Sequence, residues 1–216
     1  MQKEKLVIFD LDGTLFRTET VDVEAFNRAL STNGYNCISE KEVLDLIGLV
    51  MDDICKLLLG SVDKDLINKF KNDVIRFEDE AITGSGELYP GVLEFLERLK
   101  SKGFSLSICS NGNEEYVNGV ADKFGFHTLF DEIWFEKTGI SKAQAVAIIK
   151  KKFNAGRFVM VGDRLCDIEA GNINGGITIG VTYGFGNENE LKGAHFVVDN
   201  LEDLENTILD IYDLKQ

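Results

Sequence analysis

Short apolar runs punctuate the chain: an uninterrupted one at Leu6-Val7-Ile8-Phe9, then similar ones at Phe104 to Cys109, Phe158 to Val161, Ile177 to Val181 and Phe196 to Val198, with a weaker one at Glu132 to Phe135. A run this short that is apolar at every position fits a strand covered on both faces. Longer amphipathic stretches alternate with these runs. One opens at Pro90 and places Val92, Phe95, Leu96 and Leu99 on one face, with proline suited to a first helical turn. Another opens at Ser141, where Ser141 and Gln144 can form a capping box ahead of Ala145, Ile148 and Ile149. Strand and helix in alternation predict an α/β fold, a mostly parallel sheet with helices on both faces.

Residues 18 to about 85 interrupt that rhythm. Helical patterns lie near 20–33, 40–47, 50–59 and 64–78, with Ser39 and Glu42 as a further capping box and Gly34 and Gly60 as punctuation. The segment reads as an inserted helical bundle. Thr83-Gly84-Ser85-Gly86-Glu87 is the expected hinge leading back to Pro90. The division that follows is a core of residues 1–16 and 86–216 and a helical cap of residues 17–85.

Charge narrows the function. Across 216 residues the formal net charge is −14, from 37 acidic and 23 basic side chains. A field of that sign repels nucleic-acid backbones and anionic membranes, and no nucleic-acid or membrane partner is expected. No apolar run approaches the roughly 18 residues of a membrane span, and no secretory segment develops after MQKEKLVIFD. The expected location is the cytoplasm, and the expected state a monomer, with a dimer as the alternative. The four cysteines form no CxxC pair, and with only two histidines a histidine-rich metal site is excluded.

Candidate chemistry gathers at the strand exits. Asp10 and Asp12 follow the first run at the edge where parallel sheets bind ligands, and period two sends both carboxylates roughly the same way, although Gly13 leaves the second free to turn. As a bare turn, Asp-Leu-Asp-Gly is unremarkable. Two charges at the end of a buried strand, however, are costly unless paired or metal-bound. One suits a nucleophile toward phosphorus and the other a proton donor and acceptor. Phe158 to Val161 runs likewise into Gly162-Asp163-Arg164-Leu165-Cys166-Asp167. Asp163 could join Asp10 on Mg²⁺ with the Asp12 carbonyl completing an oxygen shell, while Asp167 could hold a metal-bound water, brace a lysine or simply favour a helix N-terminus. Ser110, with the backbone amides of Asn111 and Gly112, could cradle a phosphoryl group. Lys142 opens a helix against the dipole's preference and is the candidate cation, with Lys137 its rival. His127 and His195 read as structural or surface residues, and Trp134 with Phe135 as packing.

These residues resemble, in order and across almost the whole chain, the motifs of the haloacid dehalogenase-like (HAD) hydrolase superfamily. Within it, the chain is similar to the phosphoglycolate phosphatase-like and β-phosphoglucomutase-like group with a helical cap. Asp10-Leu11-Asp12-Gly13-Thr14 resembles the first motif, Ser110-Asn111-Gly112 the second, Lys142 the third and Gly162 to Asp167 the fourth. The resemblance implies a three-layer Rossmann-like core, Mg²⁺, Asp10 as nucleophile, Asp12 as general acid and base, and a small phosphate monoester as substrate. Two positions depart from the pattern. Ala143 stands where a proline often follows the lysine, and Arg164 where a small polar residue is usual; Arg164 is open to the cap, the substrate or a surface acid. Asp12 points away from dehalogenation. Thr14, with no histidine in residues 18–85, points away from a sugar-phosphate mutase. The phosphomutase and a non-catalytic interaction protein on the same scaffold remain the alternatives. Phe16, Arg17, Asn27 and Gly48-Leu49-Val50 are the expected cap-side contacts, Arg17 and Arg164 being offered to substrate.

Overall fold

The computed structural model describes residues 5–60 and 63–213. A six-stranded, all-parallel sheet carries the core, built from β1 (Lys5–Phe9), β2 (Phe104–Cys109), β3 (Glu132–Trp134), β4 (Phe158–Gly162), β5 (Ile177–Val181) and β6 (Phe196–Val198) in the spatial order β3-β2-β1-β4-β5-β6. The order reverses between β1 and β4, so the crevice at their carboxyl ends is where such a sheet leaves room for a ligand.

Period-two alternation explains the three layers. Val7, Phe9, Leu106, Ile108, Val159 and Val161 pack into one apolar cluster, whereas Leu6, Ile8, Phe158 and Met160 enter a second one on the opposite face. The cap elements come first in the chain: α1 (Glu19–Thr32), α2 (Glu40–Leu44), α3 (Met51–Leu59) and α4 (Lys64–Ser85). Of the core helices, α5 (Val92–Ser101), α6 (Glu114–Phe124), α7 (Phe126–Leu129) and, at the chain's end, α11 (Leu201–Asp213) contribute to the first cluster. The second layer holds α8 (Lys142–Lys152) and α9 (Leu165–Ile173), and α10 (Glu188–Leu191) adjoins α9. The cap has its own core, in which Phe26, Leu30, Ile54, Phe70 and Val74 meet.

Several expected boundaries move. Helix α4 runs through Thr83 and Gly84 to Ser85, so most of the expected hinge is helical. One intrahelical glycine costs only about 1 kcal/mol, and the buried side chains of Phe77, Glu78, Ala81 and Ile82 hold the last turns in place. The connection to the core is therefore short. Phe16 and Leu88 pair as an antiparallel bridge, and the N–H of Arg17 donates to the Glu87 carbonyl at 2.9 Å. Helix α5 starts at Val92, with Gly91 as its N-cap at φ 87°, so Pro90 precedes the helix instead of opening it. The segment after α2 is a set of turns, not a longer helix. Both sequence-read capping boxes, Ser39 with Glu42 and Ser141 with Gln144, are formed. Among the described residues, no helix is long and apolar enough to cross a membrane.

Phe9 is fully buried, with its ring edge-on to Phe95 and Phe130 at centroid distances of 5.8 and 6.3 Å. We expect Phe9→Ala to lower the unfolding free energy by about 3–5 kcal/mol, read as a reduced midpoint in urea denaturation.

Candidate active site

Asp10 continues the Leu6–Ile8 face of β1, the side covered by α8. Its N–H donates to the Val161 carbonyl at 2.8 Å, which carries the β1–β4 pairing one residue past the strand. Helix α8 begins at Lys142, and the Ser141 N-cap points that first side chain back into the sheet edge. Lys142 Nζ lies 2.7 Å from Asp10 Oδ1 and 2.5 Å from Asp167 Oδ1, all three side chains being almost wholly buried. The rival Lys137 sits elsewhere, with its ammonium over the Trp134 ring at 4.2 Å.

The exit of β4 supplies the other acids. Asp163 Oδ2 accepts the N–H groups of Phe185 and Gly186 at 2.7 and 3.3 Å, and Thr14 Oγ1 donates to its Oδ1 at 3.5 Å. Asp167, in the first turn of α9, accepts the Arg164 N–H on Oδ2 at 3.0 Å while its other oxygen braces Lys142. The close fit explains two glycines. A Cβ at Gly162 would stand 2.3 Å from Asp167 Cγ, and one at Gly13, itself at φ 70°, would stand 2.5 Å from Asp163 Oδ2.

Carboxylate oxygens of Asp10, Asp163 and Asp167 all lie within 4.8 Å of one another. Three acids then share one lysine. Burial, before the neighbouring acids, pushes Asp10 well above the usual carboxylate range, and it raises Asp163 to about 7. A hard divalent cation suits this buried, all-oxygen, charge-deficient set, so the residues present fit a metal of that kind. Asp12 stands apart from the cluster through its side chain.

Asp12 is the point at which strand periodicity fails. Its carboxylate turns toward the opposite layer: Oδ1 accepts Tyr116 Oη at 2.6 Å and Thr18 Oγ1 at 2.7 Å, and Oδ2 accepts Ser110 Oγ at 3.2 Å. The two acids of the first motif thus have separate surroundings, a lysine for Asp10 and three hydroxyl donors for Asp12. Ser110 is anchored by its N–H on the Trp134 carbonyl at 3.0 Å, and its Oγ accepts the Gly112 N–H at 2.9 Å. The Gly112 amide, expected to be free for a ligand, is occupied by that serine.

A small cavity of about 50 Å³ opens from Asp10, Asp12 and Lys142 toward Asn111 and Gly112, and is roofed by cap residues that include Gly48 and Leu49. Asn111 Nδ2 donates to the Gly48 carbonyl at 2.9 Å. Arg164 reaches the same cap turn, donating to the Ile47 carbonyl at 2.7 Å and pairing with Glu190 at 3.0 Å. Arg164 therefore fastens cap to core. Arg17 lies outside the cavity lining, on the linker, paired with Glu19 and Glu87 at 2.9 and 2.6 Å. Asn27 also faces away, bonding Val23 and Ile38 in the cap, while Phe16 is core. His195 is tied to Thr178, and His127 forms a surface pair with Asp122 at 3.0 Å, a partner the sequence reading had not assigned it.

Sequence reasoning missed Thr18, Tyr116, Asp22 and Glu78. Tyr116 and Thr18 carry no signature as hydroxyl donors. Asp22 and Glu78 did leave a trace, as acids on helix faces otherwise given to buried residues. Burial pushes Asp22 well above its usual range and Glu78 up to about 8.

The residues 7–181 match the family of haloacid dehalogenase-like hydrolases, and the chain belongs to that family. With the buried cluster of Asp10, Asp163 and Asp167, this membership makes the protein a phosphatase. A phosphoglycolate phosphatase of Vibrio parahaemolyticus is 29% identical over 94% of this chain and 95% of its own. The pyrophosphatase PpaX of Oceanobacillus iheyensis is 26% identical over 93% of this chain and 94% of its own. Among solved structures, a haloacid dehalogenase-like hydrolase of Streptococcus pneumoniae superposes with a TM-score of 0.82 at 19% identity, covering 96% of this chain and 99% of that one, a likeness of fold.

Two measurements test this geometry. Tyr116→Phe removes one donor from Asp12, so kcat should fall about tenfold with KM little changed, as read by steady-state phosphate release. For Glu78, the native group binds its proton up to about pH 8 while the unfolded chain releases it near 4.5. Between those values the folded state holds the extra proton, so this group's contribution to stability falls as pH rises and levels off above the folded value. Glu78→Gln should therefore raise the melting temperature relative to the parent at about pH 8 by at least about 3 °C more than at about pH 5.

Proposed function

We propose that the protein is a Mg²⁺-dependent phosphatase that hydrolyses a small phosphate monoester through an aspartyl-phosphate on Asp10. The observation that carries this reading is the buried Asp10 carboxylate at the sheet's switch point, 2.7 Å from Lys142 and grouped with Asp163 and Asp167. Asp10, Asp163 and Asp167 would hold the cation through side chains, and Asp12 through its main-chain carbonyl. When bound, Mg²⁺ supplies charge neutralisation to an anionic nucleophile facing an anionic phosphate.

The chain's own groups do the rest. Asp10 attacks phosphorus in line, and the bond to the leaving oxygen breaks as Asp12 delivers a proton to it. For the second half-reaction Asp12, now ionised, takes a proton from the water that attacks the aspartyl-phosphate, releasing inorganic phosphate and restoring Asp10. The Asn111 amide and Lys142 stabilise the equatorial oxygens. Thr18, Tyr116 and Ser110 keep Asp12 oriented between its two tasks. Asn111 and Arg164 hold the cap turn at residues 47–48 over the cavity, which limits water during the first step.

Four free cysteines support a reducing, cytoplasmic setting. Asp10→Asn should lower phosphate release by at least about a thousandfold while circular dichroism and the melting curve stay native. Chelation with EDTA should stop turnover of the parent protein, and added Mg²⁺ should restore it. Undiminished hydrolysis by Asp10→Asn would remove the aspartyl-phosphate.

A further inference from the structure

Two acids in the cap have no role in the chemistry above. Asp22 on α1 and Glu78 on α4 are 8% and 3% exposed, and both line the cavity that begins at Asp10. Asp22 Oδ1 and Glu78 Oε2 are buried without any hydrogen-bond partner. An unsatisfied buried carboxylate oxygen is costly, and two of them facing one cavity are poorly explained as packing.

Their surroundings define what would satisfy them. The remaining cap lining is apolar, with Phe26, Ile47, Met51 and Ile54 among it, and among the described residues no lysine, arginine or histidine lines the cap end. Among the described residues Lys142 is the one cation on the cavity wall, and it pairs with Asp10 and Asp167 at the opposite end. Arg17 and Arg164 are paired outside the lining. A phosphoryl group held over Asp10 would therefore direct its leaving group at two acceptor oxygens and an apolar wall.

We infer that Asp22 and Glu78 are specificity-determining residues that select a small phosphate monoester whose leaving group carries hydrogen-bond donors, an ammonium first and hydroxyls second, and no carboxylate. An ammonium would satisfy both orphan oxygens and draw into the ionised state two acids that burial otherwise holds toward their protonated forms. A carboxylate in that place would find no cation to offset it and would oppose that ionisation. The site would in this respect differ from one built for phosphoglycolate. This inference rests on the phosphatase reading given above.

The test is a panel of esters of similar size, O-phosphoethanolamine, glycerol phosphate, ethyl phosphate and 2-phosphoglycolate, assayed with Mg²⁺ for released phosphate. The expected order of kcat/KM is phosphoethanolamine, then glycerol phosphate, then ethyl phosphate, with phosphoglycolate last and at least about tenfold below the first. Asp22→Asn and Glu78→Gln, both isosteric, should shrink the ratio of phosphoethanolamine to phosphoglycolate by about tenfold or more. Melting curves of both variants establish that they fold. Phosphoglycolate turned over best, or a ratio that neither folded variant changes, would overturn the inference while leaving the phosphatase intact. Absence of Mg²⁺-dependent release from every ester would instead overturn the phosphatase reading, and the inference with it.

Discussion

Everything at this site depends on the charge balance around Lys142. One ammonium lies between Asp10 and Asp167 in a place closed to water, and Asp163 adds a further acid within reach. Burial drives Asp10 and Asp163 upward, the neighbouring acids add to it, and lysine alone does not offset them. A buried ion pair of this kind adds little to stability by itself. Its value lies in holding a nucleophile in place and in creating a demand for a cation and for a phosphoryl group that the fold alone does not meet.

The sheet turns that local balance into a geometry. Strands β1 and β4 are neighbours at the reversal of strand order, so Asp10 and Asp163, far apart in sequence, leave adjacent strands at the same edge. Gly13 lets the exit of β1 pack against Asp163, and Gly162 lets the exit of β4 pack against Asp167, with no side chain between them. The cap then closes the crevice from the other side, fastened by Asn111 and Arg164 to a single turn at Ile47 and Gly48. Roof and floor meet in one small cavity, acidic at both ends, with the lysine at the catalytic end only.

Relatives of similar length include enzymes named for phosphoglycolate and for pyrophosphate. In this chain the cap end of the cavity is where such differences would be written, and Asp22 and Glu78 are its polar content.

Much of this was legible in the residue order. Unbroken apolar runs ending in acids announced a parallel sheet with chemistry at its exits, because a strand covered on both faces has nowhere polar to go until it ends. The lysine at the head of α8 and the capping boxes were local signals of the same sort. What the order left open was direction and company. Strand period placed Asp12 beside Asp10, yet the turn at Gly13 swings it to Thr18, Tyr116 and Ser110 in the other layer. Local composition suggested a hinge at Gly84, yet buried contacts carry α4 through it. Arg17 looked available to substrate until Glu19 and Glu87 met it across the linker. Asp22 and Glu78, 56 residues apart by number, become a pair only when α1 and α4 pack. Periodicity and capping act over a few residues and can be read along the chain; which side chains share a desolvated space is decided by packing between distant segments, and that only the tertiary structure supplies.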